Sequence, residues 1–386
     1  MLRTLPYGAN YISLEQTPEL VGAMDEKVLF RYSASAPSVA DRLESTACSR
    51  FGVGGALAVP NGTQALRLAL LATRPTAGTR VYIPAVTFVA VAGAVLSLGL
   101  IPICVDVDDR LALDASLLPS DANRVIVAHM DGMVAPVPDV DGYVIEDSAQ
   151  AMGGRHADGR SVGSVGYAGI FSFHHAKVLT SGEGGLVVTR DAATRDLMRS
   201  YSDHGSARVQ GKYPTWDAGA FYGENLTSNE VVAAVQLQQF RILDHLLDRV
   251  ERQYEQLLEA LGAVGVHGVV ARTPGDPKVS LHVTFNSSER RDRVLAELEQ
   301  AGLPAWTLDK YLLPKHPVLA SRASIYSDGY PWSLDPSAQH LSRDGFENTR
   351  ERLARRLVLP LAPELTDKEQ DAMNEAYVRI LSVTSA

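Results

Sequence analysis

Cysteine is nearly absent from the chain. Cys48 and Cys104 stand far apart in a sequence of 386 residues. Two such residues build neither a disulfide framework nor a cysteine metal site, so a reducing, cytoplasmic setting is expected. Long hydrophobic runs are missing too. No stretch approaches the ~18 uninterrupted apolar residues of a membrane helix, so no membrane partner is expected. The opening MLRTLPYGANYISLEQ has no apolar core of a secretion signal. Positive charge is in deficit, with 36 Lys and Arg against 45 Asp and Glu. The net charge of −9 argues against nucleic acid and anionic membranes as partners. Internal repeats and low-complexity tracts are also absent.

What is present is ordinary for a soluble enzyme: 46% hydrophobic and 21% charged residues. The length exceeds one small core and predicts two domains, a large one over 1–245 and a smaller C-terminal one over 246–386. Residues 1–36 read as irregular. A helix is predicted from Ser38, with Val39, Leu43, Ala47 and Phe51 at helical spacing. Strand-like runs follow at 56–59, 80–83, 101–105, 124–128, 143–146, 168–173 and 186–189, with helical runs between several of them. This order predicts an α/β fold with a mostly parallel central sheet and helices on both faces. Residues 202–224 read as a long loop. A long helix is predicted from Asn229 to about Leu261, stopped by Gly262. Beyond it the pattern is α+β: a half-buried strand at 279–285, a helix at 288–301, and a last helix opened by the capping box Thr366-Asp367-Lys368-Glu369.

Ligands of such sheets sit beyond the carboxyl ends of the strands. Four features fall there. Lys177 lies between a β-prone run and a glycine-rich turn (Gly182, Gly184, Gly185) that leaves room for something flat. A lysine packed into a partly apolar site loses basicity and can form a Schiff base. Asp147 closes another strand, where a buried acid needs a positive or hydrogen-bonding partner. Gly62 and Thr63 start a helix whose free N–H groups can hold a phosphate, although many such helices bind nothing. Phe88 follows a further strand. Together they suit pyridoxal phosphate, with a carboxylate at the pyridine nitrogen, a lysine for the aldehyde and a helix start for the phosphate.

The stretches PNGTQALRLAL, PAVTFVA, IEDSAQAMGG and FSFHHAKVLTSGEGGLVVT resemble, in order, motifs of the DegT/DnrJ/EryC1/StrS aminotransferases. The resemblance implies a fold-type-I, pyridoxal-phosphate-dependent transferase acting on keto groups of nucleotide-linked sugars or cyclitols. Carried over residue by residue, it implies Lys177 as the Schiff-base lysine and proton-transfer base. It places Asp147 at the pyridine nitrogen, Gln150 beside the phenolic oxygen and Phe88 on the ring face. Gly62, Thr63 and Ser172 would hold the phosphate. Asn225 would reach the phosphate of the other subunit in an obligate homodimer with shared active sites. Members of the family usually carry an arginine, which commonly helps grip the donor carboxylate, where this chain has Thr227. Arg67, Lys310 and Arg322 are candidates to replace it, and L-glutamate or L-glutamine is the expected donor.

Some relatives replace the lysine by histidine and act as dehydratases. Here the register puts Lys177 at that position, which favours transamination over the alternatives of a dehydratase or lyase and of a non-enzymatic sensor or scaffold. His174 and His175 are read as strand neighbours facing opposite ways, which argues against a shared metal. The aromatic stretch 311–332 is expected either to line the acceptor pocket or to pack on the small domain. Some of its residues, with LTSGEGG, resemble cyclitol aminotransferases.

Overall fold

Ser38 caps the first long helix reciprocally. Its side chain accepts the Asp41 N–H, and the Asp41 carboxylate accepts the Ser38 N–H. Two otherwise free donors of the helix start are thereby satisfied. The structure, a computed structural model, describes residues 7–33, 37–207, 214–216, 220–339 and 345–383.

In chain order the elements are α1 (Pro18–Asp25), α2 (Val39–Phe51), β1 (Gly55–Val59), α3 (Gly62–Ala72), β2 (Arg80–Pro84), α4 (Val89–Ser97), β3 (Ile101–Val105), β4 (Arg124–Ala128), β5 (Tyr143–Asp147), β6 (Ala168–Ser172), β7 (Gly185–Thr189), α5 (Ala192–Ser202), α6 (Glu230–Ala263), β8 (Ser280–Thr284), α7 (Ser288–Gln300), α8 (Pro317–Ser321), α9 (Glu347–Ala354), β9 (Arg356–Pro360) and α10 (Asp367–Val383). Among the described residues no helix is long and apolar enough to cross a membrane.

The large sheet has the order β1-β7-β6-β5-β4-β2-β3. Its pairs β2–β3, β2–β4, β4–β5 and β5–β6 are parallel; β6–β7 and β1–β7 are antiparallel. Only β7 therefore runs against the rest. Its strands are apolar on both sides because both faces are covered. Ala56 and Ala58 of β1 pack with α2 and α6, while Leu57 and Val59 pack with α3 and α4. Each fully buried Leu or Phe in these layers contributes about 1.5–3 kcal/mol, so the loops at the sheet's edge stand on a rigid platform.

Three expectations need correction. The N-terminal region is not wholly irregular, since α1 forms with Pro18 pre-set at its first turn; residues 1–6 and 34–36 lie outside the described part. Gly262 does not stop α6. The helix runs to Ala263, and the left-handed position falls at Gly265, with Val266 N–H closing on Leu261 O. The strand at 280–284 is buried on both faces rather than one. Leu281 and Val283 enter the small core, and Ser280 and His282 are also buried. Its antiparallel partner β9 was not anticipated. The described parts of 202–224 hold isolated bridges, Asp203 with Asn225 and Ala207 with Thr215; residues 208–213 and 217–219 of that expected loop lie outside them.

α6 crosses from one core to the other. Its Ala233, Leu237, Phe240, Leu243 and Leu246 pack under the large sheet. Its Val250, Tyr254, Leu257 and Leu261 pack with β8, β9 and α10. The residues of α6 up to Leu246 thus belong to one core and those from Val250 to another. Leu308, Leu312, Leu313 and Trp332 nevertheless join the large core, so the C-terminal part is fastened to the sheet.

Candidate active site

Because only β7 is reversed, the carboxyl ends of β1, β2, β4, β5 and β6 meet along one edge, together with the start of β7. Asp147 is the last residue of β5, and its Oδ1 accepts the Ala149 N–H at 3.1 Å. Burial pushes its carboxyl above the usual range, opposed by that N–H and by the charge of Lys177. β5 pairs with β6, Asp147 lying opposite Ile170, so the chain leaving β6 emerges beside the carboxylate.

Lys177 lies in that chain, in a turn beyond the strand's end. The turn is closed by the Lys177 N–H on His174 O at 2.9 Å. Phe173 clamps its base, donating to Gly184 O and accepting from the Ser181 N–H. Burial pulls the Lys177 amine below its ordinary value, and the carboxylates of Asp147 and Asp131 oppose the shift. The strand alternation assumed for His174 and His175 does not apply, because β6 has ended at Ser172. Their rings lie 4.1 Å apart, with His175 Nδ1 3.0 Å from His174 Nε2.

Asn61 caps α3 by accepting the Gln64 N–H. The Gly62 and Thr63 N–H groups belong to the first turn and have no helical partner. A Cβ on Gly62 would stand 3.0 Å from Ser172 Cβ, so the start of α3 rests against the end of β6. One on Gly185 would meet Asn61 O at 2.3 Å, which is why β7 begins with glycine. Gly62, Thr63 and Ser172 thus form one small polar cradle. Gln150 lies nearby, its Oε1 accepting the Asp131 N–H at 2.9 Å. Phe88 is 52% exposed, its ring 6.4 Å from that of Tyr311. These rings, with Lys310, Lys315 and His316, line a cavity of about 410 Å³. The rest of the aromatic stretch packs on itself: Trp332 is buried under Arg322, and Tyr326 meets Tyr330 edge-on.

Asn225 is not in this cluster. It is exposed, its Oδ1 accepting the Thr227 hydroxyl. Of the candidate donor-binding cations, Arg67 is held by Glu224 at 2.6 and 3.1 Å, Lys310 lies exposed over the Tyr311 ring, and Arg322 covers Trp332.

Two features escaped the sequence. Asp131 lies three residues beyond the end of β4, the strand beside β5, and its charge acts on Lys177. An acid shortly after a buried strand was the available signal. Glu146, fully buried beside Asp147, accepts from His129, His156 and the N–H groups of Gly163, Val165 and Gly166. Burial alone would raise its carboxyl, but these bonds outweigh it and hold the group far below its usual range. His129, Glu146 and His156 have ligand-type atoms within 4.8 Å of one another. His129 Nδ1 accepts the Ala135 N–H, so its proton is on Nε2 and points to Glu146. That satisfied arrangement reads as a structural network ordering the loop beside Asp147.

The set fits a flat, phosphorylated aldehyde. An amine of lowered basicity, a buried carboxylate with Ala149 as its hydrogen-bond donor and a glycine–serine cradle are the parts such a group requires.

A profile of the DegT/DnrJ/EryC1/StrS aminotransferase family matches residues 32–377. An L-glutamine:2-deoxy-scyllo-inosose aminotransferase from Streptoalloteichus tenebrarius is 31% identical over 87% of this chain and 86% of its own. A UDP-N-acetyl-3-dehydro-alpha-D-glucosamine 3-aminotransferase from Acidithiobacillus ferrooxidans is 30% identical over 85% and 84%. Among solved structures, an aminotransferase from Psychrobacter cryohalolentis superposes with a TM-score of 0.80 at 21% identity, over 97% of this chain and 98% of that one.

Proposed function

The chain belongs to the DegT/DnrJ/EryC1/StrS aminotransferase family, and from that premise we propose that it moves an amino group from L-glutamine or L-glutamate to the ketone of a cyclitol or nucleotide-linked sugar, with pyridoxal phosphate as cofactor. The observation that carries this reading is that Asp147 ends β5 and the turn holding Lys177 follows β6, its paired neighbour, at the edge that also holds the Gly62–Ser172 cradle. The curated relatives above support the choice of substrates, including scyllo-inosose-type cyclitols and UDP-linked keto-sugars.

Bound there, pyridoxal phosphate supplies an electrophilic carbonyl and an electron-withdrawing ring. Lys177 Nζ would hold its carbonyl and, once freed by the donor amine, would take the proton from the donor's Cα and pass it to the carbon that keeps the nitrogen, so that the donor leaves as a keto acid. Asp147 would keep a proton on the pyridine nitrogen. The Gly62 and Thr63 N–H groups and Ser172 Oγ would receive the phosphate. Phe88 would cover one ring face and Gln150 would contact the phenolic oxygen. The cavity between Phe88, Tyr311 and His316 receives the acceptor.

The enzyme acts as a homodimer in the cytoplasm. Asn225 is exposed and outside its own chain's cluster, which suits a residue offered to a second subunit. Trp216, Phe221 and Tyr222 are 55%, 40% and 85% exposed on the same segment, a patch that a partner would cover.

The test is a visible absorption spectrum of the purified protein with pyridoxal phosphate, before and after L-glutamine and L-glutamate. A yellow band bleached by one donor supports the reading. A protein that stays colourless in excess cofactor overturns it.

A further inference from the structure

The small sheet turns a polar face toward the active-site edge. In the β8–β9 register, Leu281, Val283, Leu357 and Leu359 point into the small core. The alternate residues Ser280, His282 and Thr284, with Arg356 opposite Thr284, share the other face. That face looks onto Asp131: His282 Nε2 lies 3.4 Å from Asp131 Oδ2. Asp131 in turn acts on Lys177.

Buried polar atoms without partners gather here. Arg272 donates through Nη2 to Ser280 O at 2.7 Å and Ser280 Oγ at 3.0 Å, but its Nε and Nη1 are buried with no partner among the described residues. Arg356 is 2% exposed, and its Nε and Nη1 are in the same condition. Both nitrogens of His282, 1% exposed, also lack a well-formed hydrogen bond. Burial pulls Arg272 below its ordinary value and His282 to about 4, so the histidine is neutral. Asp276, the other acid near Arg272, is engaged by Arg110, the Val134 N–H and Thr273. Among the described residues neither guanidinium is in direct contact with a carboxylate: Asp131 and Asp276 act on Arg272, and Asp109 and Asp108 on Arg356, only from a distance. A cation left in that state is costly unless an anion arrives from outside.

Resting on the transamination reading above, we propose that Arg272, with Arg356 as its neighbour, receives the carboxylate of the amino donor. An α-amino acid carries its carboxylate one carbon from its amine, so the receiving cation must be a near neighbour of Lys177. Asp131 is within electrostatic reach of both Lys177 and Arg272. Of the cations considered from sequence, Arg67 is paired with Glu224, Arg322 covers Trp332 and Lys310 lies exposed over the Tyr311 ring, while Thr227, bonded to Asn225, brings none. The phosphates of a nucleotide-linked acceptor are the other anion of this chemistry, but the carboxylate of Asp131 beside the site disfavours so dense a negative charge.

The experiment titrates succinate, a dicarboxylate that cannot react, into the full-length protein by calorimetry, with and without pyridoxal phosphate, and UDP in parallel. It then follows bleaching of the yellow form by L-glutamine and L-glutamate. In Arg272→Gln, succinate affinity should fall on the order of 100-fold, and the donor concentration for half-maximal bleaching should rise by a similar factor. The maximal bleaching rate should change less than about threefold, the signature of lost ground-state binding. Arg272→Lys keeps the charge without the fork and should fall between the two. Wild-type donor dependence in either folded variant overturns the proposal. So does a wild type that does not bind succinate, or a variant that loses UDP and keeps succinate. A wild type that never turns yellow overturns the transamination reading instead, and the succinate arm on the cofactor-free protein still decides this one.

Discussion

Thr227 Oγ1 donates to Asn225 Oδ1 at 3.0 Å. The asparagine oxygen is thus occupied, and its Nδ2 hydrogens are left as donors on an exposed segment. If they serve the phosphate of a second subunit, each active site mixes residues from two chains. Lys177→Ala and Asn225→Asp should each be inactive alone, the second because an added carboxylate repels phosphate. Mixed dimers restore one complete site of two. Random reassembly of equal amounts should recover about one quarter of wild-type activity. No recovery after verified subunit exchange would mean that each chain completes its own site.

Lys177→Ala should fold, bind pyridoxal phosphate without the yellow Schiff-base band, and lose turnover by at least about 10⁴-fold. Asp147→Asn should keep the fold but slow proton transfer by roughly 10²–10⁴-fold, since the ring nitrogen loses the charge that keeps it protonated. Single-turnover bleaching with donor in excess measures this. A near-wild-type rate in Asp147→Asn would assign the nitrogen to another side chain.

Glu146 touches no proposed substrate atom, yet its network holds the loop beside Asp147. Glu146→Gln replaces an oxygen acceptor by a donor that meets further donors. The change should cost about 2–4 kcal/mol of unfolding free energy. Urea denaturation of the cofactor-free protein checks it, and a loss below about 1 kcal/mol would show that the loop holds itself.

The strands of the large sheet were legible because each centres on a short apolar run between turn signals, buried on both faces. The cradle was legible for a related reason: Gly62, Ser172 and Lys177 lie next to strand ends that the alternation exposes. The polar cluster on the small sheet's side was not. Asp131, Arg272, His282 and Arg356 are scattered through the chain, and none sits in a stretch with its own signal. They meet only because β9 pairs with β8 and the resulting face docks at the end of β4. His282 looked like the outward residue of a half-buried strand, and no local pattern distinguishes a face covered by another unit from one covered by water. Gly262 misled for the opposite reason. A glycine near a helix end is a good stop signal, but the left-handed turn was taken by Gly265.

His282 also sets a pH dependence. Burial holds its folded value at about 4, below the value of about 6.5 in an unfolded chain. Between the two, the unfolded chain binds a proton that the folded chain refuses. Stability is therefore full above about pH 6.5 and declines as the pH falls toward 4, by up to about 3 kcal/mol. The contribution of Glu146, held low, is lost only below the carboxylate range near 4.5, so the two windows separate. Urea midpoints at pH 7.5 and 5.0 should converge in His282→Gln and diverge in wild type. Equal slopes in both would remove His282 as the cause.

The 34 residues of α6 form one rod about 51 Å long that belongs to two cores at once. The change of core after Leu246 falls inside hydrogen-bonded helix, so there is no linker to cut. A fragment ending there would leave an apolar stripe uncovered, and so would the fragment beginning there. The two units should therefore melt together, as a single calorimetric transition. The large sheet, which ends in Asp147, and the small sheet, which carries Arg356, then share one fate: neither persists after the other is lost.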